Sequence, residues 1–172
     1  MSVSELSTST QNYLKAIWGL KEWSSEPVTA TLIAKQLGLK LSSVSDAVRK
    51  MAKQGLVSHT PYGSVELTEL GRQYALVMVR RHRLLESFLV QALDYTWDEV
   101  HNEAENLEHA VSDMLIERVD KFLDYPTRDP HGDPIPTVDG QITIPSAHRL
   151  TDSGAQSQVT VEGGIKRWMR HA

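Results

Sequence analysis

The sequence predicts a mainly α fold, an N-terminal winged helix-turn-helix followed by a second α-helical domain, and three observations predict it. Gly38 and Gly55 punctuate two short amphipathic helices, and two short β-patterns joined by Thr60-Pro61-Tyr62-Gly63 follow at once. His and Glu recur four residues apart on two later helices. Prolines at positions 126, 130, 134, 136 and 145 then break the helical pattern.

A chain of 172 residues, 40% of them hydrophobic, is long enough for one sizeable core or two small ones. No apolar run reaches the roughly 18 residues that a membrane-spanning helix needs. Met1-Ser2-Val3-Ser4-Glu5 shows no basic segment leading into an apolar stretch, so no secretory signal is visible. Cysteine is absent, which excludes disulfides and thiolate ligands and fits a cytoplasmic protein. The net charge of -4 is unevenly spread. Residues 1–75 carry eight Lys/Arg against six Asp/Glu, and the remainder carries ten against sixteen. A mildly basic first part joined to an acidic second part suits a division of labour.

The elements follow in order. Residues 9–23 read as a helix capped by Ser9 or Thr10, with Tyr13, Leu14, Ile17 and Trp18 on one stripe. Thr29-Ala30-Thr31 opens a second helix, Leu32 to Leu37, which Gly38 ends. Ser42 opens a third, which runs to about Gln54 and stops at Gly55. Leu56 to His59 and Ser64 to Leu67 are short strands around a turn with Pro second and Gly fourth. Thr68 caps a long fourth helix to about Leu93, and Thr96 caps a fifth with Asp98 and Glu99 in its first turn. A sixth covers about Ser112 to Leu123. The expected domains are 1–75, 76–136 and a linker or tail over 137–172.

Helix, glycine-containing turn and helix is the arrangement of a helix-turn-helix. Val44, Ala47, Val48 and Met51 fall at helical spacing and turn inward. The opposite face shows Ser45, Asp46, Arg49, Lys50 and Lys53, the hydroxyls and charges a major-groove helix needs. Lys40, Ser42 and Ser43 at the helix start reach phosphates or base edges, and Tyr62 sits at the tip of the wing. A solvated, charged helix would show a similar face, but the hairpin behind it argues for DNA.

Five further residues suggest a metal centre. His82 and Glu86 lie four apart, and His101, Glu105 and Glu108 lie four and three apart, so each set shares one helix face. His109 adjoins Glu108. Helical spacing makes donors converge without ordering a loop. Paired surface His and Glu would show the same spacing on one helix, but two such sets on consecutive helices favour a chelate. His59, His131, His148 and His171 lie in the wing or tail and are expected to be non-ligands.

At these residues the chain resembles the diphtheria toxin repressor family of iron and manganese regulators. The resemblance rests on Arg80-Arg81-His82-Arg83-Leu84-Leu85-Glu86, on Val100 to Asp113, and on Asp129-Pro130-His131-Gly132-Asp133-Pro134-Ile135-Pro136, and it covers about residues 8 to 136. It implies a metal-binding and dimerisation domain with a regulatory site at Glu105, Glu108 and His109. It also implies an ancillary site at His82, Glu86 and His101. Iron-type members place Cys where this chain has Glu105, and a hard oxygen there favours Mn(II), with Fe(II), Co(II) and Zn(II) expected to substitute in vitro. The family's further ligand from the first helix, a Met or an Asp, falls on Asn12, whose amide oxygen is uncharged. The residues after Pro136 are too few and too polar for the SH3-like domain of longer relatives, so the chain either lacks that domain naturally or is truncated before it.

The resemblance implies a homodimer that represses metal-homeostasis genes from a palindromic double-stranded operator, with no membrane partner and no small organic substrate. Metal would shift the population toward a state in which two recognition helices sit one helical turn apart. An iron-responsive repressor is the nearest rival. A di-metal helical enzyme normally needs Glu-x-x-His twice, and Glu105 and His109 are four apart. A metal-independent winged-helix regulator is the remaining one.

Overall fold

The computed structural model describes residues 3–59 and 63–142. It divides into two compact units between Val79 and Arg80.

In the first unit a 3-10 turn, Val3–Glu5, precedes α1, Thr8–Glu22. The cap is Ser7, whose hydroxyl accepts from the Thr10 amide at 3.3 Å, and not Ser9 or Thr10. Each hydroxyl in this Ser/Thr run is a chemically adequate cap. Gln11 ties the 3-10 turn down, donating to the Val3 and Leu6 carbonyls at 2.9 and 3.0 Å. Helix α2, Ala30–Leu37, is capped by Thr29 and ends on Gly38 at φ 65°, a left-handed position suited to glycine. Helix α3, Leu41–Lys53, starts one residue earlier than Ser42, from a Lys40 that makes no side-chain cap bond.

Strand β1, Val57–His59, pairs antiparallel with β2, Val65–Leu67, in the register Val57 to Leu67 and Ser58 to Glu66. The turn expected at Thr60, Pro61 and Tyr62 lies outside the described residues. Tyr13, Leu14, Ile17, Ile33, Val44, Val48, Met51 and Val65 form the core beneath the hairpin. Helix α4, Glu69–Leu93, starts at Thr68, whose hydroxyl accepts from the Gly71 amide at 3.1 Å and donates to the Gly55 carbonyl at 2.7 Å. Gly71 is required by close approach rather than by φ, since a Cβ there would lie 1.9 Å from the Leu56 carbonyl oxygen.

The second unit contains the rest of α4, then α5, Trp97–Leu107, and α6, Asp113–Phe122. The Glu99 carboxylate accepts from the Thr96 amide and hydroxyl at the start of α5, and Ser112 caps α6. Leu84, Leu85, Leu89, Val100, Ala104, Ile116, Val119 and Ile135 form its core. Three arginines of α4 reach three places. Arg80 donates to Asp120 and to the Pro136 carbonyl, both at 2.6 Å. Arg81, 1% exposed, donates to Asp113 at 2.6 Å and to the Glu108 carbonyl at 3.4 Å. Arg83 donates to the Pro134 carbonyl at 2.6 Å and faces Asp129 and Asp133, each at 3.8 Å. The proline-rich segment after α6 is thus strapped to α4. Residues 143–172, where the sequence suggests a tail, lie outside the described residues. Among the described residues no helix is long and apolar enough to cross a membrane.

Candidate metal centre and nucleic-acid interface

In the second unit α4 supplies His82 and Glu86 one turn apart, and α5 supplies His101 and Glu105. Glu108 follows as the C-cap of α5, still with right-handed helical dihedrals, so its carboxylate continues the polar stripe. His82 stands between two groups of donors. Its Nε2 lies 3.0 Å from Glu86 Oε1 and 3.2 Å from His101 Nδ1. Its Nδ1 lies 2.7 Å from Glu108 Oε2 and 3.9 Å from Glu105 Oε1. His101 closes both sides, with Nδ1 at 3.1 Å from Glu86 and Nε2 at 3.7 Å from Glu105. His109 Nε2 adjoins the other Glu108 oxygen at 3.5 Å.

Two triads therefore converge, His82 with Glu86 and His101, and His82 with Glu105 and Glu108, each with donor atoms within 4.8 Å of one another. A divalent ion about 2.1 Å from each donor holds them roughly 3 to 4.2 Å apart, so both triads fit one with small adjustment. The donors are imidazole and carboxylate, the set that suits Mn, Fe and Zn. Sequence spacing separates a His82 set from a Glu105 set, but in space His82 belongs to both.

His131, expected to be a non-ligand, lies beside the cluster, with its Nε2 3.8 Å from Glu86 Oε1 and its ring meeting Trp97 edge-on. Asp129 positions it by accepting from the His131 and Asp133 amides at 2.9 and 2.8 Å. No helical periodicity could signal this, because the approach depends on the arginine straps. Burial raises the Glu86 carboxyl, but hydrogen bonds from His101 and His82 and the charges of His82 and His131 outweigh it and hold it well below the usual range. Burial, then Asp133 and Glu86, push Asp129 up to about 6, with Arg83 opposing them. Asn12 belongs to the first unit, where its Oδ1 is buried and accepts no hydrogen bond among the described residues.

The second candidate surface is the outward side of α3. Lys40, Ser42, Ser43, Asp46, Arg49, Lys50 and Lys53 are exposed, while Val44, Val48 and Met51 are buried opposite them. Ser45 is half-buried, and its hydroxyl donates to the Leu41 carbonyl at 2.9 Å, which leaves it less available than the other serines. Asp46 and Arg49 form an ion pair. Leu39 and Leu41, which helical spacing does not single out, are exposed beside Lys40. Tyr62 lies outside the described residues.

A winged helix-turn-helix with a basic outward helix, joined to a helical unit with converging His and Glu, defines a metal-binding DNA regulator. The N-terminal DNA-binding domain of iron-dependent repressors matches residues 5–65, and their metal-binding and dimerisation domain matches residues 68–137. The chain belongs to this iron-dependent repressor family, that of the diphtheria toxin repressor. It is 39% identical over 134 residues to the iron-dependent repressor IdeR of Mycobacterium tuberculosis, a match covering 78% of this chain and 58% of that protein. It is 33% identical over 119 residues to an uncharacterised HTH-type transcriptional regulator of Methanocaldococcus jannaschii, covering 69% of this chain and 95% of that one. A solved manganese-dependent transcriptional repressor in complex with manganese superposes with TM-score 0.80 at 54% identity, over 84% of this chain and 66% of that one. The chain thus spans less than two thirds of the length of the M. tuberculosis IdeR. Both matched domains are DNA-binding and metal-binding modules, which sets aside the di-metal enzyme.

Proposed function

We propose that the chain is a manganese-dependent transcriptional repressor of metal-homeostasis genes, acting in the cytoplasm as a homodimer on a palindromic operator. The observation that carries this reading is the donor set around His82. Glu86, Glu105 and Glu108 put three carboxylates around the His82 and His101 imidazoles, with no cysteine in the chain to add a thiolate, and hard oxygen donors favour Mn(II) over softer ions. The manganese-dependent relative of known structure supports it. The likeness to IdeR keeps an iron-responsive repressor as the second reading.

His82, Glu86 and His101, with His131 beside them, would hold one ion, and Glu105, Glu108 and His109, with the other nitrogen of His82, would hold a second. A bound divalent cation supplies positive charge that offsets the repulsion among the carboxylates. The protein's own groups do the rest. Arg81 holds the Glu108 backbone, and Arg83 and Asp129 hold the loop that carries His131. Outer partners of this kind fix the orientation of metal ligands. By linkage, metal and operator raise each other's affinity by the same factor.

The test is DNA binding measured separately with Mn(II), Fe(II), Co(II) and Zn(II). Activation by Mn(II) at free concentrations where Fe(II) is ineffective is expected. Activation by Fe(II) alone would establish the iron reading, and metal-independent binding would overturn both.

A further inference from the structure

The outward face of α3 carries a single acid among cations. Ser42, Asp46, Arg49 and Lys53 recur at i, i+4, i+7 and i+11, directly opposite the buried Val44, Val48 and Met51. Asp46 therefore occupies the middle of the stripe. Its side chain is 70% exposed, as is that of Arg49, to which it is paired. Burial does not explain the pair, and exposed pairs of this type add little stability.

A carboxylate in the middle of a surface that approaches phosphates is repelled unless it meets a hydrogen-bond donor. In the major groove the donors are the amines of cytosine and adenine. The adenine amine sits beside the N7 acceptor, which repels a carboxylate, whereas the cytosine amine sits beside a C–H edge. Guanine and thymine present acceptors at the corresponding positions. Arginine has the opposite preference and pairs with guanine O6 and N7. Asp46 and Arg49 lie about one turn apart and already touch, so together they match the two halves of a C·G pair or of two adjacent pairs.

We infer that Asp46 and Arg49 form a base-reading couple that requires a C·G pair in each operator half-site, Asp46 accepting from cytosine N4 and Arg49 donating to guanine. This rests on the DNA-binding reading of α3. At a wrong base the couple works by exclusion, because Asp46 then faces the acceptor of guanine or thymine, or the N7 acceptor beside the adenine amine. Specificity arises from that penalty as much as from the hydrogen bond itself.

The experiment is selection from a randomised double-stranded DNA library by the full chain with saturating Mn(II), for the parent, Asp46→Asn and Asp46→Ala. Both substitutions are at an exposed side chain, and circular dichroism of each variant verifies its fold. The parent is expected to enrich a symmetric site with one invariant C·G pair per half. Asp46→Asn should replace cytosine by adenine at that position alone, reversing the preference by about tenfold or more, because an amide pairs with adenine N6 and N7. Asp46→Ala should lose the preference there and retain it elsewhere. An unchanged consensus in both variants, with affinity altered uniformly across all sequences, overturns the inference and leaves Asp46 as a local charge. A parent that enriches no sequence overturns the operator-binding function itself.

Discussion

His82 Nδ1 lies 2.7 Å from Glu108 Oε2, although 26 residues separate them, while Nε2 of the same ring faces Glu86 at 3.0 Å. A neutral imidazole carries one proton and donates to only one of two acceptors. The ring cannot satisfy both carboxylates in the neutral form, so filling one side decides what the other nitrogen presents.

His82→Ala is therefore expected to weaken both metal-binding events, each by more than about tenfold, since removing even an outer partner of a ligand costs roughly 10–100-fold. Glu86→Ala should weaken mainly one event, and Glu105→Ala or His109→Ala mainly the other, with loss of metal-dependent DNA binding in a folded dimer. Calorimetric titration with Mn(II) resolves the two events. Equal effects of His82→Ala and Glu86→Ala on a single event would refute the sharing.

Glu105→Cys should shift preference from Mn(II) toward Fe(II), Co(II) or Zn(II), because thiolate is the softer donor. Competition titration measures the ranking, and an unchanged order would remove the hard-donor argument.

Lys50 and Lys53 are exposed at the edge and end of the α3 face. Replacing either by Ala should lower the slope of log affinity against log salt by about 0.9 for each phosphate that its ammonium neutralises. A slope equal to the parent's would place these side chains away from the DNA backbone.

Gly71→Ala should destabilise the protein by about 1–3 kcal/mol, the usual cost of overpacking. The added Cβ would collide with the Leu56 carbonyl, which is backbone and cannot swing aside. Denaturant unfolding reads the destabilisation directly, and a change near zero would show that the hairpin shifts freely.

Mild acidification should weaken metal-activated DNA binding through the histidines. Metal binding displaces protons from its ligands, so protons compete with metal increasingly as the pH falls below neutral. The sign follows from the ligand, since only an unprotonated nitrogen coordinates. Excess Mn(II) should restore operator affinity at the lower pH. A deficit that persists at saturating metal would place the pH effect outside the His and carboxylate cluster.

Much of the fold is legible because local physics decides it. Val44, Val48 and Met51 announce α3 by spacing, and Gly38 and Gly55 mark helix ends by adopting the φ values of 65° and 72° that other residues avoid. Where the local signal is degenerate, as in Ser7 to Thr10, spacing points to the wrong cap, because tertiary packing chooses among equal hydroxyls. Helical spacing also finds His82, Glu86, His101 and Glu105. It cannot show that His82 serves two groups of donors, since that depends on how α5 packs on α4. Nor can it reveal His131, which reaches Glu86 from an irregular segment. On α3, sequence alone makes Asp46 one polar residue among several, and only its pairing with Arg49 singles it out.

The three arginines of α4 have a consequence for life under metal scarcity. Arg80, Arg81 and Arg83 hold α6, the α5–α6 turn and the proline-rich segment by bonds within the protein alone. The framework around the donors thus has its own internal bracing of cations, unlike small zinc domains that unravel when stripped. A cell that runs short of metal would retain an intact, reloadable sensor rather than a pool of unfolded chains to degrade and resynthesise. Its response time would then be set by ion exchange and not by translation.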